Sequence, residues 1–192
     1  MTEASQAHTA RSWRGRAFLG ASLDGYIAGP GGDLAFLESE PGKGRHVTTP
    51  DTAPALVWET FFPEIDTLVM GRTTYEKVLT FGDWPYPGLR VLVLSTTLAD
   101  TLPNARVVGS VDEAVAVLND AGARQVYVDG GRTVQDFLAR GLLDELTVAT
   151  LPIVIGGGTR LFAEGASAEF AVRGAHVTAD GLVRVTYEVL GS

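Results

Sequence analysis

Apolar residues in this chain fall into short runs that close on glycine or turn residues, and the spacing between runs alternates between strand and helix patterns. The run Ala17-Phe18-Leu19-Gly20-Ala21 predicts a buried strand leading into the turn-rich stretch S-L-D-G-Y-I-A-G-P-G-G-D. From Asp33 the pattern D-L-A-F-L-E predicts a short helix, P-G-K-G-R interrupts it at residues 41–45, and a helix is expected again over Pro54 to Phe62. I-D-T-L-V-M at 65–70 is a strand that ends at Gly71 and passes directly into the helical pattern R-T-T-Y-E-K-V-L. After the breaker-rich F-G-D-W-P-Y-P-G, Val91 to Leu94 form another buried strand, closed by Ser95-Thr96-Thr97. Ser110 and Glu113 make an S-x-x-E capping box, which predicts a helix over 111–121.

The alternation repeats with Gln125 to Val128 as a strand, Asp129-Gly130-Gly131 as a tight junction, and R-T-V-Q-D-F-L-A-R as a helix stopped by Gly141. The tail supplies L-T-V-A-T-L-P-I-V-I, the turn Gly156-Gly157-Gly158, and an antiparallel pair from E-F-A-V-R and L-V-R-V-T-Y-E-V-L. Strands alternating with helices imply an α/β fold: a mostly parallel central sheet, helices on both faces, and a C-terminal antiparallel hairpin. A length of 192 residues, 45% hydrophobic and 20% charged, supports a single domain over 15–192 behind a disordered leader at 1–14. The leader carries Arg11 and Arg14, but no apolar stretch of signal-peptide or membrane-spanning type precedes the first strand, so a soluble, cytoplasmic protein is expected.

Charge and composition remove several classes of function. A formal charge of −8 without a basic stripe argues against nucleic-acid binding, which draws on clustered Lys and Arg. With no cysteine there is no disulfide frame, thiolate nucleophile or Cys-based zinc site. The three histidines, His8, His46 and His176, share no ligand spacing, so no metal is expected.

What remains is anion chemistry. A helix that starts just after a buried strand offers free N–H groups and a positive dipole end. Gly71-Arg72-Thr73-Thr74 and Gly130-Gly131-Arg132-Thr133 each add a guanidinium and hydroxyl groups to such a start. Two anion sites suit a dinucleotide with a pyrophosphate and a further ribose phosphate, although glycines also end strands and threonines also cap helices for purely structural reasons. The Rossmann G-x-G-x-x-G, the phosphate-binding G-x-x-x-x-G-K-[ST] and the G-x-S-x-G nucleophile elbow are all absent. Asp33 follows the glycine-rich loop, and two readings stand side by side. It is either an ordinary helix cap, or a carboxylate that holds an amidine-like ring and supports its protonation. Asp24, before Gly25, reads as a turn aspartate.

In order and spacing, S-L-D-G-Y-I-A-G, G-G-D-L-A-F-L, L-V-M-G-R-T-T-Y-E, V-L-V-L-S, S-V-D-E-A-V-A and V-Y-V-D-G-G-R-T-V-Q-D-F-L resemble dihydrofolate reductase over roughly residues 17–150. The end, G-L-L-D-E-L-T-V-A-T-L-P-I-V-I-G-G-G-T-R-L-F, is similar to the C-terminal reductase domain of the bifunctional riboflavin-pathway deaminase-reductase and its stand-alone relatives. The resemblance implies NADPH as cofactor, its phosphates at Gly71, Arg72, Thr73, Thr74, Gly130, Gly131, Arg132 and Thr133, with Leu94, Ser95 and Thr96 beside the adenosine ribose and its 2′-phosphate. It puts Asp33 on the substrate-binding carboxylate and Ala21 and Ile27 beside the loop that covers the nicotinamide.

Two departures narrow the activity implied. The arginine that holds the folate tail in dihydrofolate reductases aligns with Leu89, next to Arg90, and the deaminase signature H-x-E with P-C-x-x-C is missing. The expectation is a homodimeric NADPH-dependent reductase of a small heterocyclic, pterin- or pyrimidine-like substrate. The alternatives are a 5-amino-6-(5-phosphoribosylamino)uracil reductase and a catalytically silent nucleotide-binding protein.

Overall fold

The computed structural model describes residues 11–37, 53–99, 102–179 and 181–191. The chain divides into two compact units, one made of residues up to Arg16 with Glu64–Asp144, the other of Ala17–Pro63 with Glu145 onward. Strand β1 (Arg14–Ser22) passes from the first to the second.

In the first unit, β3 (Thr67–Gly71), β4 (Arg90–Leu94), β5 (Arg106–Val108) and β6 (Gln125–Asp129) join the start of β1 in the order β5-β4-β3-β6-β1. Every pairing in that ladder is parallel. Parallel strands covered on both faces need continuous apolar runs, and Leu68, Val69, Met70, Leu92, Val93, Val126 and Val128 are accordingly fully buried. Helices α2 (Arg72–Val78), α3 (Val111–Asp120) and α4 (Gly131–Ala139) follow β3, β5 and β6. On α4 the buried residues Val134, Phe137 and Leu138 fall at the helical spacing that makes one apolar stripe. The predicted strand-glycine-helix units are thus present. The strand β5 went unpredicted, because three residues give too short a pattern to show a period.

Residues 1–10 of the expected leader lie outside the described residues. Arg11 pairs with Asp144 at 2.8 Å, and Trp13 Nε1 donates to Asn119 Oδ1 at 2.9 Å, so the approach to β1 is held in place.

The second unit is mainly antiparallel. Strand β7 (Glu145–Leu151) pairs with β10 (Val183–Gly191), which pairs with β9 (Glu169–Val177), and β2 (Tyr26–Ala28) forms a separate ribbon with β8 (Thr159–Arg160). Thr147 and Thr186 face each other across the β7–β10 register with their hydroxyls 2.9 Å apart. Strand β7 ends before Pro152, which has no N–H to give a ladder.

Two helix predictions in this unit are corrected. From Asp33 the described residues form only a single 3-10 turn, Ala35–Leu37, and the break predicted at 41–45 lies outside the described residues. The helix expected over Pro54 to Phe62 is reduced to one turn, α1 (Trp58–Phe61). The reason is that residues 53–56 spend their backbone groups on the sheet. Ala175 N–H donates to Ala53 O at 2.8 Å, Ala55 N–H to His176 Nδ1 at 3.0 Å, and Leu56 N–H to Thr186 Oγ1 at 2.9 Å. Tertiary hydrogen bonds of this kind override a weak local helix preference.

Candidate functional site

The two glycine junctions of the first unit are not separate features. Strands β3 and β6 are neighbours, with Met70 opposite Asp129, so the starts of α2 and α4 emerge side by side. They also interlock. Thr74, third residue of α2, abuts Gly130 so closely that a Cβ there would overlap its Oγ1, while a Cβ on Gly71 would stand 3.1 Å from Oγ1 of Thr133, third residue of α4. Gly130 has φ 88° and ψ 136°, a backbone region open essentially to glycine alone.

Neither start is capped by a side chain, and neither has an acidic residue in its first turn. Each instead carries an arginine, Arg72 and Arg132, at the positive end of the helix dipole, where a cation is unfavourable without an anion to meet it. Arg132 is exposed and only loosely paired with Asp136, at 3.7 Å. Thr133 and Gly131 are buried, whereas Thr73 is exposed and Thr74 half-buried.

Arg72 reaches sideways to the end of β4. Its Nε donates to Glu76 at 2.8 Å and its guanidinium to Thr97 Oγ1 at 2.8 Å. Leu94, opposite Gly71 in the ladder, brings Ser95 to this place. The Ser95 hydroxyl accepts the N–H groups of Thr97 and Leu98, each at 3.1 Å, and so builds the turn that presents Thr97. Thr96 is exposed and makes no side-chain hydrogen bond among the described residues. Thr97, which sequence reasoning passed over in favour of Thr96, is the hydroxyl that joins the arginine. The S-T-T run carried the chemistry, but only the turn decides which threonine faces Arg72.

A second feature missed in the sequence is the polar cluster beneath the α4 junction. Asp129 accepts from Gly130 N–H at 2.8 Å and bonds the Tyr127 hydroxyl. Burial raises the Asp129 carboxyl above its usual range against the pull of those two bonds. Burial, followed by the nearby Asp129 charge, also raises the hydroxyls of Tyr127 and Tyr86.

The remaining predicted site residues lie in the second unit. Ala21 and Ile27 are buried, at the end of β1 and in β2. Asp33 is exposed, and its Oδ1 accepts the N–H of Ala35 at 3.0 Å, so the capping role weighed for it is present, on a turn rather than a helix. Asp24 does more than close its own turn, since it also takes backbone N–H groups from Ile155 and Gly156. Among the described residues no group of three or more His, Asp or Glu could hold a metal ion, and no helix is long and apolar enough to cross a membrane.

The family model of the RibD C-terminal domain matches residues 15–185. The chain belongs to that family. A solved Shewanella sp. PV-4 structure described as a riboflavin biosynthesis protein is 36% identical, covers 92% of this chain and 98% of its own, and superposes with a TM-score of 0.77. Dihydrofolate reductase HdrB of Haloferax volcanii is 40% identical over 90 residues, which is 43% of this chain and 46% of HdrB. Dihydrofolate reductase of Enterococcus faecalis, solved in complex with NADP(H), shares the fold at 16% identity, with a TM-score of 0.58 over 92% of this chain and 96% of its own. The α/β, dihydrofolate-reductase-like fold inferred from the motifs is therefore the fold of this RibD-family chain.

Proposed function

We propose that this protein is an NADPH-dependent oxidoreductase that reduces a C=N or C=O bond of a small heterocyclic, pterin- or pyrimidine-like substrate. The observation that carries the reading is the pair of interlocked, uncapped, arginine-bearing helix starts at Gly71–Thr74 and Gly130–Thr133. Uncapped N–H groups at two adjacent helix starts, each with an arginine in its first turn, fit a ligand with several phosphates. Bound NADPH supplies the hydride. The chain's own part is to hold the phosphates with the first-turn N–H groups of α2 and α4, and to meet the 2′-phosphate with Arg72 and the Ser95–Thr97 turn. Ala21 and Ile27 flank the loop that covers the nicotinamide, and Asp33 holds the substrate ring and supports delivery of a proton.

The specific alternative is reduction of 5-amino-6-(5-phosphoribosylamino)uracil, the substrate in the name of a Thermotoga maritima deaminase/reductase that shares the fold. The rest of the assignment is a single reductase domain over 15–192, acting in the cytoplasm as a homodimer, without nucleic-acid or membrane partners. Titration with NADPH and NADH tests the cofactor, and saturable binding that is tighter for NADPH is the expected result. Saturable binding of neither would favour a catalytically silent protein that kept the fold. For Asp33, the Asn variant keeps a capping oxygen but loses the negative charge. It should retain the wild-type Tm and NADPH affinity while losing most turnover in a panel of pterins and aminopyrimidines. Wild-type turnover by Asp33→Asn would leave Asp33 as a cap only.

A further inference from the structure

One carboxylate ties together the two glycine-rich stretches of the second unit. Asp24 Oδ1 accepts from Ser22 Oγ at 2.7 Å and from Ile155 N–H at 3.2 Å, and its Oδ2 accepts Gly156 N–H at 2.8 Å. The latter two donors lie more than 130 residues along the chain. Leu23 N–H adds a bond to Ile153 O at 2.8 Å, and Ser22 Oγ accepts Tyr26 N–H at 3.0 Å. Led chiefly by the Ser22 hydroxyl, these bonds hold the Asp24 carboxyl below its usual range, so it is ionised at neutral pH.

Downstream of the clamp the two stretches continue as one layer. Tyr26 pairs with Arg160 and Ala28 with Thr159 in the β2–β8 ribbon, Leu161 N–H donates to Gly25 O at 2.9 Å, and the Arg160 guanidinium lies 4.9 Å over the Tyr26 ring. Gly158, at φ 130°, presses on the backbone of Ala28 and Gly29, where a Cβ would overlap the Ala28 carbonyl oxygen. Gly29 N–H in turn donates to Asp33 O at 2.7 Å. Ile27 and Asp33 therefore sit on a segment whose position is set from Asp24 onward.

We propose that Asp24 is a positioning residue, fixing the segment Tyr26–Asp33 against residues 153–161 so that Ile27 and Asp33 are presented in one arrangement. The role rests on the cofactor reading above, which assigns Ile27 to the nicotinamide. A carboxylate suits the task because it accepts three donors without offering one. Asn would turn an amide N–H₂ toward one of those donors, and Ala would remove all three bonds.

The test compares NADPH with adenosine 2′,5′-bisphosphate, which has the adenosine end without the nicotinamide. Asp24→Ala should weaken NADPH about tenfold and Asp24→Asn about threefold, the loss expected for one or a few hydrogen bonds. The bisphosphate should bind all three proteins alike, and amide exchange at Ile155 and Gly156 should quicken in Asp24→Ala. Arg72→Ala, by contrast, should weaken both ligands. Unchanged NADPH affinity in Asp24→Ala, equal weakening of the two ligands, or unchanged exchange at Ile155 and Gly156 overturns the positioning role alone. A wild-type protein that binds neither ligand overturns the cofactor reading and the positioning role together.

Discussion

Three helices of the first unit start a short step after a strand, and they begin in two different ways. Helix α3 satisfies itself: Ser110 Oγ accepts Glu113 N–H at 3.1 Å, Glu113 accepts Gly109 N–H at 2.7 Å, and Asp112 and Glu113 put negative charge at the positive dipole end. Helices α2 and α4 start on Gly71 and Gly130, without a side-chain cap and without an acid in the first turn. The same fold position is thus closed in one case and left open in two. The first turns of α2 and α4 thus keep their N–H groups uncapped beside an arginine, as the proposed phosphate sites require.

The comparison is broken most severely at Gly130. Gly130→Ala forces a Cβ into Thr74 Oγ1 at a φ of 88° and should lose about 1 to 3 kcal/mol of stability along with most NADPH affinity, measured by denaturant unfolding and titration. Wild-type values for both would mean that the two helix starts do not depend on each other. Of the two junction glycines, Gly130 is the one with the positive φ and the tight contact.

Next in size is Arg72→Ala. Loss of a charge-assisted bond to the 2′-phosphate removes about 1.5 to 3 kcal/mol, so NADPH should bind about tenfold or more weakly while NADH is little changed. A parallel fall for NADH would move Arg72 from the 2′-phosphate to a feature that both cofactors share.

Ser110→Ala sharpens the contrast from the other side. Removing the α3 cap should lower stability by about 1 kcal/mol and leave NADPH affinity at the wild-type value. Any substantial loss of affinity would mean that the closed helix start is not merely structural.

The smallest expected effect concerns Asp129, the acid just before α4. Its folded-state pKa is raised by burial, so the stability that it contributes is fully present below the usual carboxylate value and is lost as pH rises through the raised one. Asp129→Asn keeps an acceptor for Gly130 N–H without the buried charge. Its Tm advantage over wild type should therefore be larger at pH 7 than at pH 4, and an advantage that shrinks with rising pH would contradict the assigned cause.

Much of this was legible because the decisive signals are local. Apolar runs closed by Gly71 and Gly130, and the Ser110–Glu113 capping box, are contained within a few residues and specify strand, junction and helix directly. What failed was tertiary. The Pro54–Phe62 helix gave way to bonds from Ala55 and Leu56 N–H to side chains of β9 and β10, Thr97 rather than Thr96 met Arg72, and Asp24 took partners from a segment more than 130 residues away. Nor does one sequence reveal that two glycine junctions interlock, because that depends on β3 and β6 being neighbours while β4 and β5 intervene in the chain.

The most direct measurement is a backbone amide spectrum of the ¹⁵N-labelled protein during titration with NADPH. The account predicts large, saturable shifts at the first-turn amides of α2 and α4, Arg72 to Thr74 and Gly131 to Thr133, with Val111 to Glu113 of α3 unmoved. Binding of NADPH that leaves the α2 and α4 amides unshifted, or shifts those of α3 equally, would contradict it.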